Sequence, residues 1–298
     1  MKTILSSLFL FALSSLCMAQ NYKKEFNEAG AKKDTSAQRK VLEKWEKANS
    51  DDPELYVACF NFYVQKSRIT GISIDKTQKS KDAFSISDSS GNIGYLNGST
   101  IYLNNSDLKR GFNYISVGIA KFPSRLDMRF GKIYMYGENK DYKNFTEEII
   151  QTIDYSNINK NKWTWTNGEE VKDPKKFMLG SVQSYILQLY NTNDDALLNN
   201  MKEISETVLK YYPDHVESMS NISIVYSLQK NFDKALEILL QAEKIAPKDY
   251  IILANIAQTY KEKKDYKNSI KYYKLVEKYG DQSSIEFAKE QITELKKK

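Results

Sequence analysis

An all-α fold built from a repeated helix pair is what this 298-residue sequence predicts. Pro213 and Pro247 stand 34 residues apart, each closing a stretch whose apolar residues recur at three- and four-residue spacing. Gly at 12 and Pro at 5 are too sparse for the many turns of a sandwich or barrel. Hydrophobic residues make up 41% and charged residues 28%, enough apolar material for a core and too much for a disordered chain.

The repeat is read most directly near the C-terminus. Numbered from Val216, positions 4, 7, 8, 11, 20, 24 and 27 are Met219, Ile222, Ser223, Tyr226, Ala235, Leu239 and Ala242, and Pro247 is position 32. Numbered from Tyr250, the same slots hold Leu253, Ile256, Ala257, Tyr260, Ser269, Tyr273 and Val276. Small residues at 8 and 20 in both units let paired helices approach, and the large ones fill the layer between them. This pattern resembles the tetratricopeptide repeat. The resemblance implies a right-handed superhelix of about five helix pairs with a concave groove that binds a peptide or partner protein.

The elements follow in order. Residues 1–19 carry Lys2, an apolar run from Ile4 to Leu16 and a Cys17-Met18-Ala19 cleavage site, the pattern of a secretory signal peptide. Leu16 stands where a lipid-attachment motif wants a small residue, so the protein is expected to be exported, periplasmic or secreted, and not acylated. Residues 20–66 form degenerate repeat helices, with Trp45, Ala48 and Pro53 in slots 24, 27 and 32. Pro53 to Pro123 spans one repeat plus 36 residues, and the surplus falls at 67–104. There Ala83 to Ser87 alternates, Asp88 to Asn92 turns and Ile93 to Leu96 returns, a small β-hairpin insertion. Residues 105–155 are again repeat helices, with Phe130-Gly131-Lys132-Ile133-Tyr134 resembling the family's Leu-Gly-x-x-Tyr stretch. A loop over 156–175 bears Trp163-Thr164-Trp165, and 176–213 is a degenerate repeat. The two clear units occupy 214–281, and 282–298 is a polar capping helix.

Composition excludes several functions. One His and two Cys cannot build a His-rich metal centre or a four-thiolate zinc site. His215 has no companion nucleophile or orienting carboxylate in view, so no catalytic residue, metal or cofactor is expected and the protein is read as no enzyme. Only five of 44 basic residues are Arg, and they are scattered, which argues against nucleic acid despite a net charge of +6. Gly91 to Gly98 lacks the Lys-Ser/Thr of a phosphate loop and reads as part of the hairpin. No segment after the leader is apolar enough to span a membrane.

By the family resemblance, position 6 of helix A faces the groove, where Asn61, Asn221 and Asn255 stand and Arg129 takes the slot in the unit from 124. Lys132, Tyr136, Ile224, Gln258 and Lys261 are the implied neighbours, and Arg129 favours an acidic partner segment. The two-Asn, multi-Lys carboxylate clamp of some family members is not reproduced. Trp163 and Trp165, two residues apart, are either a clip pinning the loop or a stacking platform for a glycan or small ligand.

Overall fold

The computed structural model describes residues 21–78, 81, 83–89, 91–103 and 105–298. The signal peptide expected at 1–19 lies outside them. Contacts divide the chain into two compact units. One runs to Asp141 and takes back Trp163–Val171; the other holds Tyr142–Lys162 and Lys172–Lys298.

The first unit begins with helices α1 (21–31), α2 (Thr35–Ala48) and α3 (Pro53–Ser67). The Asp34 and Asp52 carboxylates cap α2 and α3 by accepting backbone N–H bonds, and Pro53 stands in the first turn of α3, where its missing N–H costs nothing. Helix α4 (Ser106–Lys121) packs along α3, and α5 (Leu126–Glu138) follows. Counting back from Pro123, Gly111, Ile115 and Gly118 fall in slots 20, 24 and 27. A Cβ on Gly118 would lie 2.8 Å from Tyr56 Cβ, so α4 meets α3 as closely as backbones allow. That slot pattern is legible in the sequence. Gly131, in the Phe-Gly stretch, has no such contact; a Cβ there would meet only Phe60 Cε1 at 3.5 Å.

Between α3 and α4 the expected hairpin is a three-stranded antiparallel sheet. Strands β1 (Arg68–Asp75), β2 (Phe84–Asp88) and β3 (Gly91–Tyr102) lie in the order β1-β3-β2. β1 had no counterpart in the sequence reading, although Thr70, Ile72 and Ile74 alternate as a strand should.

The second unit comprises α6 (Tyr142–Ile158), α7 (Pro174–Tyr190), α8 (Leu198–Tyr211), α9 (Val216–Leu228), α10 (Phe232–Ile245), α11 (Tyr250–Glu262), α12 (Tyr266–Tyr279) and α13 (Gln282–Leu295). In the two clear repeats Ala235, Leu239, Ala242, Leu253, Ile256, Ala257, Ser269, Tyr273 and Val276 are all buried, as the slot register requires. Ala288, Ile292 and Leu295 of α13 join the same core, so the final helix closes the stack. Each A helix ends on a lysine in the left-handed region, Lys230 at φ 60 and Lys264 at φ 62, where the family resemblance has Gly. Ala235 is wholly buried between α9 and α10, so Ala235→Leu should overpack and cost about 1–3 kcal/mol, read as a lowered thermal midpoint.

The one histidine is a cap. His215 precedes α9, and its Nδ1 accepts the Ser218 backbone N–H at 3.3 Å, which requires the neutral ring. Burial lowers its pKa from 6.5; the Glu217 carboxylate pulls the other way, and the Lys175 charge adds to the lowering. A base whose pKa falls on folding binds fewer protons folded than unfolded, so stability should decline as pH drops below about 6.5. His215→Asn keeps a cap without a proton, and its thermal midpoint should be flat over that window while the wild type's falls.

Candidate functional site

A concavity of the second unit lies along helices α9 and α11. Helix pairs α9/α10 and α11/α12 bury their slot residues against one another, which turns the remaining face of each A helix outward. Ser223, Ile224 and Ser227 from α9, and Asn255, Gln258, Thr259 and Glu262 from α11, line a cleft of about 470 Å³. Tyr190 at the end of α7 and Leu228 at the end of α9 form its apolar rim, and both stay substantially exposed. Lys230 and Phe232 close it at the turn into α10. Lys230 and Glu262 give the lining one charge of each sign.

The polar floor is internally ordered. Asn255 Nδ2 donates to Ser220 Oγ at 2.8 Å. Gln258 accepts from the Tyr273 hydroxyl at 2.9 Å and donates to Glu262 at 2.6 Å. Burial, with the Glu262 and Glu294 charges adding, pushes the Tyr273 hydroxyl up to about 12, so it remains a donor through the physiological range. Such a lining offers apolar contact from Tyr190, Ile224, Leu228 and Phe232, with fixed amides between them. A second, smaller hollow of about 120 Å³ shares Tyr190 and Leu228 and extends the surface toward Asp194 and Asp195.

Several expected groove residues are elsewhere. Asn221 is 5% exposed, and its amide exchanges two hydrogen bonds with Gln183 of α7, Nδ2 to Oε1 at 2.7 Å and the return bond at 3.1 Å. It ties helices together and is not presented to solvent. Arg129 is likewise 5% exposed: its Nε donates to the Pro123 carbonyl at 3.1 Å and its guanidinium lies 5.8 Å from the Trp163 ring centre. The positive charge expected at one end of a groove is therefore inside the first unit, and the acidic-partner expectation loses its support. Lys261 reaches Gln291 of α13 at 2.7 Å, fastening the capping helix. Of the named set, Asn255, Gln258 and Ile224 line the cleft. Asn61, Lys132 and Tyr136 belong to the first unit: Asn61 is exposed, Tyr136 stacks on Phe112 at 4.4 Å, and Lys132 lies over Tyr136.

The tryptophans resolve as a clip. Trp163 is 2% exposed, so it cannot receive a sugar ring, and the platform expectation falls. Trp165 is half-buried and meets Phe130 edge-on at 6.2 Å. Backbone bonds from Leu126 N–H to the Thr164 carbonyl at 3.0 Å and from Thr164 N–H to the Ser124 carbonyl at 2.9 Å knit the loop to the start of α5. Of the lining residues that the sequence reading did not assign to a groove, Tyr190, Ser227, Leu228, Lys230, Phe232 and Glu262 sit at or beside helix ends, while Ser223 and Thr259 lie within α9 and α11. Among the described residues no three His, Cys, Asp or Glu side chains gather as a metal site, and no helix is long and apolar enough to cross a membrane.

A tetratricopeptide-repeat family model matches residues 216–249 and 250–279. No curated protein matches the chain. Among solved structures, the tetratricopeptide domain of P58(IPK) is 13% identical, over 96% of this chain and 67% of that one, with a TM-score of 0.33. YrrB, described as a tetratricopeptide protein with an unusual peptide-binding site, is 13% identical over 84% of this chain and 97% of its own, with a TM-score of 0.41. A tetratricopeptide protein from Parabacteroides merdae is 10% identical over 93% and 98%, with a TM-score of 0.35.

Proposed function

Residues 216–279 are two tetratricopeptide repeats, and from that premise we propose that the protein is an exported, non-catalytic scaffold whose α9/α11 cleft docks an extended segment of a partner protein. The observation that carries this reading is the cleft's lining. An apolar rim of Tyr190, Ile224, Leu228 and Phe232 surrounds the amides of Asn255 and Gln258, with one Lys and one Glu at the edges. An extended segment presents a side chain and a backbone amide at every residue, and this alternation of apolar and amide surface suits it. The near-neutral lining suits a segment with apolar side chains better than an acidic one. Export rests on the leader at residues 1–19.

The test is a display selection of peptides on the intact protein, followed by binding to variants. Selected peptides should lose at least roughly tenfold in affinity to Ile224→Asp and to Leu228→Asp, each of which places a charge in the apolar contact. Peptides that bind these variants unchanged would overturn the cleft assignment. Export is checked separately, by whether the chain recovered outside the cytoplasm begins at Gln20.

A further inference from the structure

The cleft along α9 and α11 does not end at its apolar rim. Tyr190 and Leu228 line both it and the smaller hollow, so the two concavities adjoin across a shared edge. The smaller hollow is lined by Leu189 of α7, Leu198 and Met201 of α8, and residues 193–195 of the turn between those helices. Leu189, Leu198 and Met201 are buried, whereas Asp194 and Asp195 are exposed. The hollow therefore has an apolar floor beneath an acidic edge. At about 120 Å³ against about 470 Å³ it has room for one side chain and not for a length of backbone.

The acidic edge is fixed in place and is not neutralised. Asp194 Oδ1 accepts the Ala196 N–H at 3.0 Å, which caps the 3-10 turn Asp195–Leu197, and the Asp194 N–H donates to Thr192 Oγ1 at 3.2 Å. Neither Asp194 nor Asp195 forms an ion pair among the described residues. Lys202, next to Met201 on α8, is engaged elsewhere: it lies 3.6 Å from Glu206 and over the Tyr226 ring. Across the two hollows one cation, Lys230, is set against three carboxylates, those of Glu262, Asp194 and Asp195.

We propose that the segment docked in the cleft carries a Lys or Arg beside its apolar residues, and that this side chain crosses the Tyr190/Leu228 edge into the smaller hollow. Its methylene stem lies on Leu189, Leu198 and Met201, and its charged head meets Asp194 and Asp195 at the mouth. Long cationic side chains divide in this way, with the stem on apolar surface and the head in water. An aliphatic side chain in the same place would cover the floor and leave both carboxylates without a partner, and an acidic one would be repelled. The preference presupposes that the cleft docks a partner segment. Its sign is opposite to the acidic partner that Arg129 suggested, because Arg129 is buried and the aspartates are not.

Random peptides displayed on phage and selected on the intact protein test it. Selected sequences should be enriched in Lys or Arg flanking apolar residues. They should bind Asp194→Asn/Asp195→Asn roughly fivefold more weakly, as exposed charge pairs allow, with the loss larger at low salt than at high salt. Asn is as good a cap as Asp, so the thermal midpoint should not move. A selected peptide whose basic residue is replaced by Gln should bind the wild type weakly and lose nothing further on the variant. Selection on Asp194→Lys/Asp195→Lys should turn the preference to Asp and Glu. Peptides weakened by Ile224→Asp but indifferent to Asp194→Asn/Asp195→Asn would overturn the pairing and leave the cleft reading standing. Peptides indifferent to both, or a selection that yields no binder, would overturn the two together.

Discussion

Arg125→Met should destabilise the first unit by about 3 kcal/mol, measured as the loss in unfolding free energy in denaturant, because it takes a buried cation from two largely buried carboxylates, Asp127 and Glu54. Arg125 is 4% exposed and bonds Asp127 through Nε at 2.8 Å and Nη2 at 2.7 Å, while Nη2 also lies 2.8 Å from Glu54. Glu54 in turn accepts from Lys23 at 2.6 Å and from the Asn167 backbone N–H at 2.9 Å. Those remaining donors hold the expected loss to the low end of what breaking a buried pair costs. Removing Glu54's charge as well, in Glu54→Gln/Arg125→Met, should recover part of it. Burial pushes the Glu54 carboxyl up, but the Lys23 and Asn167 hydrogen bonds and the Arg125 charge outweigh it, and its pKa lies below 4.5. A depressed acid contributes stability above its unfolded value and loses it as pH falls through the folded one. The acid limb of the wild type's stability profile should therefore begin below about pH 4.5 and be shallower in Arg125→Met.

Trp45→Ala should cost more, about 3–5 kcal/mol. The indole is fully buried, stacks on Tyr22 at 6.1 Å and packs with Leu42, Leu55 and Phe62. Its Nε1–H donates to Asp52 Oδ2 at 2.9 Å, and Asp52 is the carboxylate that caps α3. Truncation opens a cavity and strips a buried carboxylate of a donor at the same time. Trp45→Phe refills most of the cavity without restoring the hydrogen bond. The gap between Trp45→Phe and wild type therefore isolates that bond, at about 1.5–3 kcal/mol for one made to a charged group.

The repeats at 216–279 were legible because every slot is decided within its own helix pair. A small residue at 8, 20 or 27 is a local steric statement, and Ala235, Ala242 and Ala257 are buried as their slots require. Position 6 was not legible for the opposite reason. Whether Asn221 faces solvent depends on Gln183, 38 residues away, and whether Arg129 does depends on Trp163 arriving over it. Nothing in either residue's neighbourhood in sequence announces those partners. The strand β1 was missed because it follows α3 directly: the helix ends at Ser67 and the strand begins at Arg68, with no Gly or Pro to mark the change. The cleft was half visible. Ile224, Asn255 and Gln258 follow from repeat offsets, whereas Tyr190 and Leu228 enter from helix ends that no periodicity fixes.

The return of Trp163–Val171 to the first unit sets an order of events during synthesis. A nascent chain that has reached Asp141 holds every α-helix of that unit and still lacks the indole that covers Arg129. The 21 residues of α6 and its following turn must be made before Trp163 appears. Until then Arg129 has no Trp163 over it and Glu54 lacks the Asn167 N–H, so the first unit is completed only after α6 of the second has been made. A gene truncated at codon 141 would therefore yield a product that binds chaperones or is degraded. One ending after Val171 would carry all of the first unit's own residues.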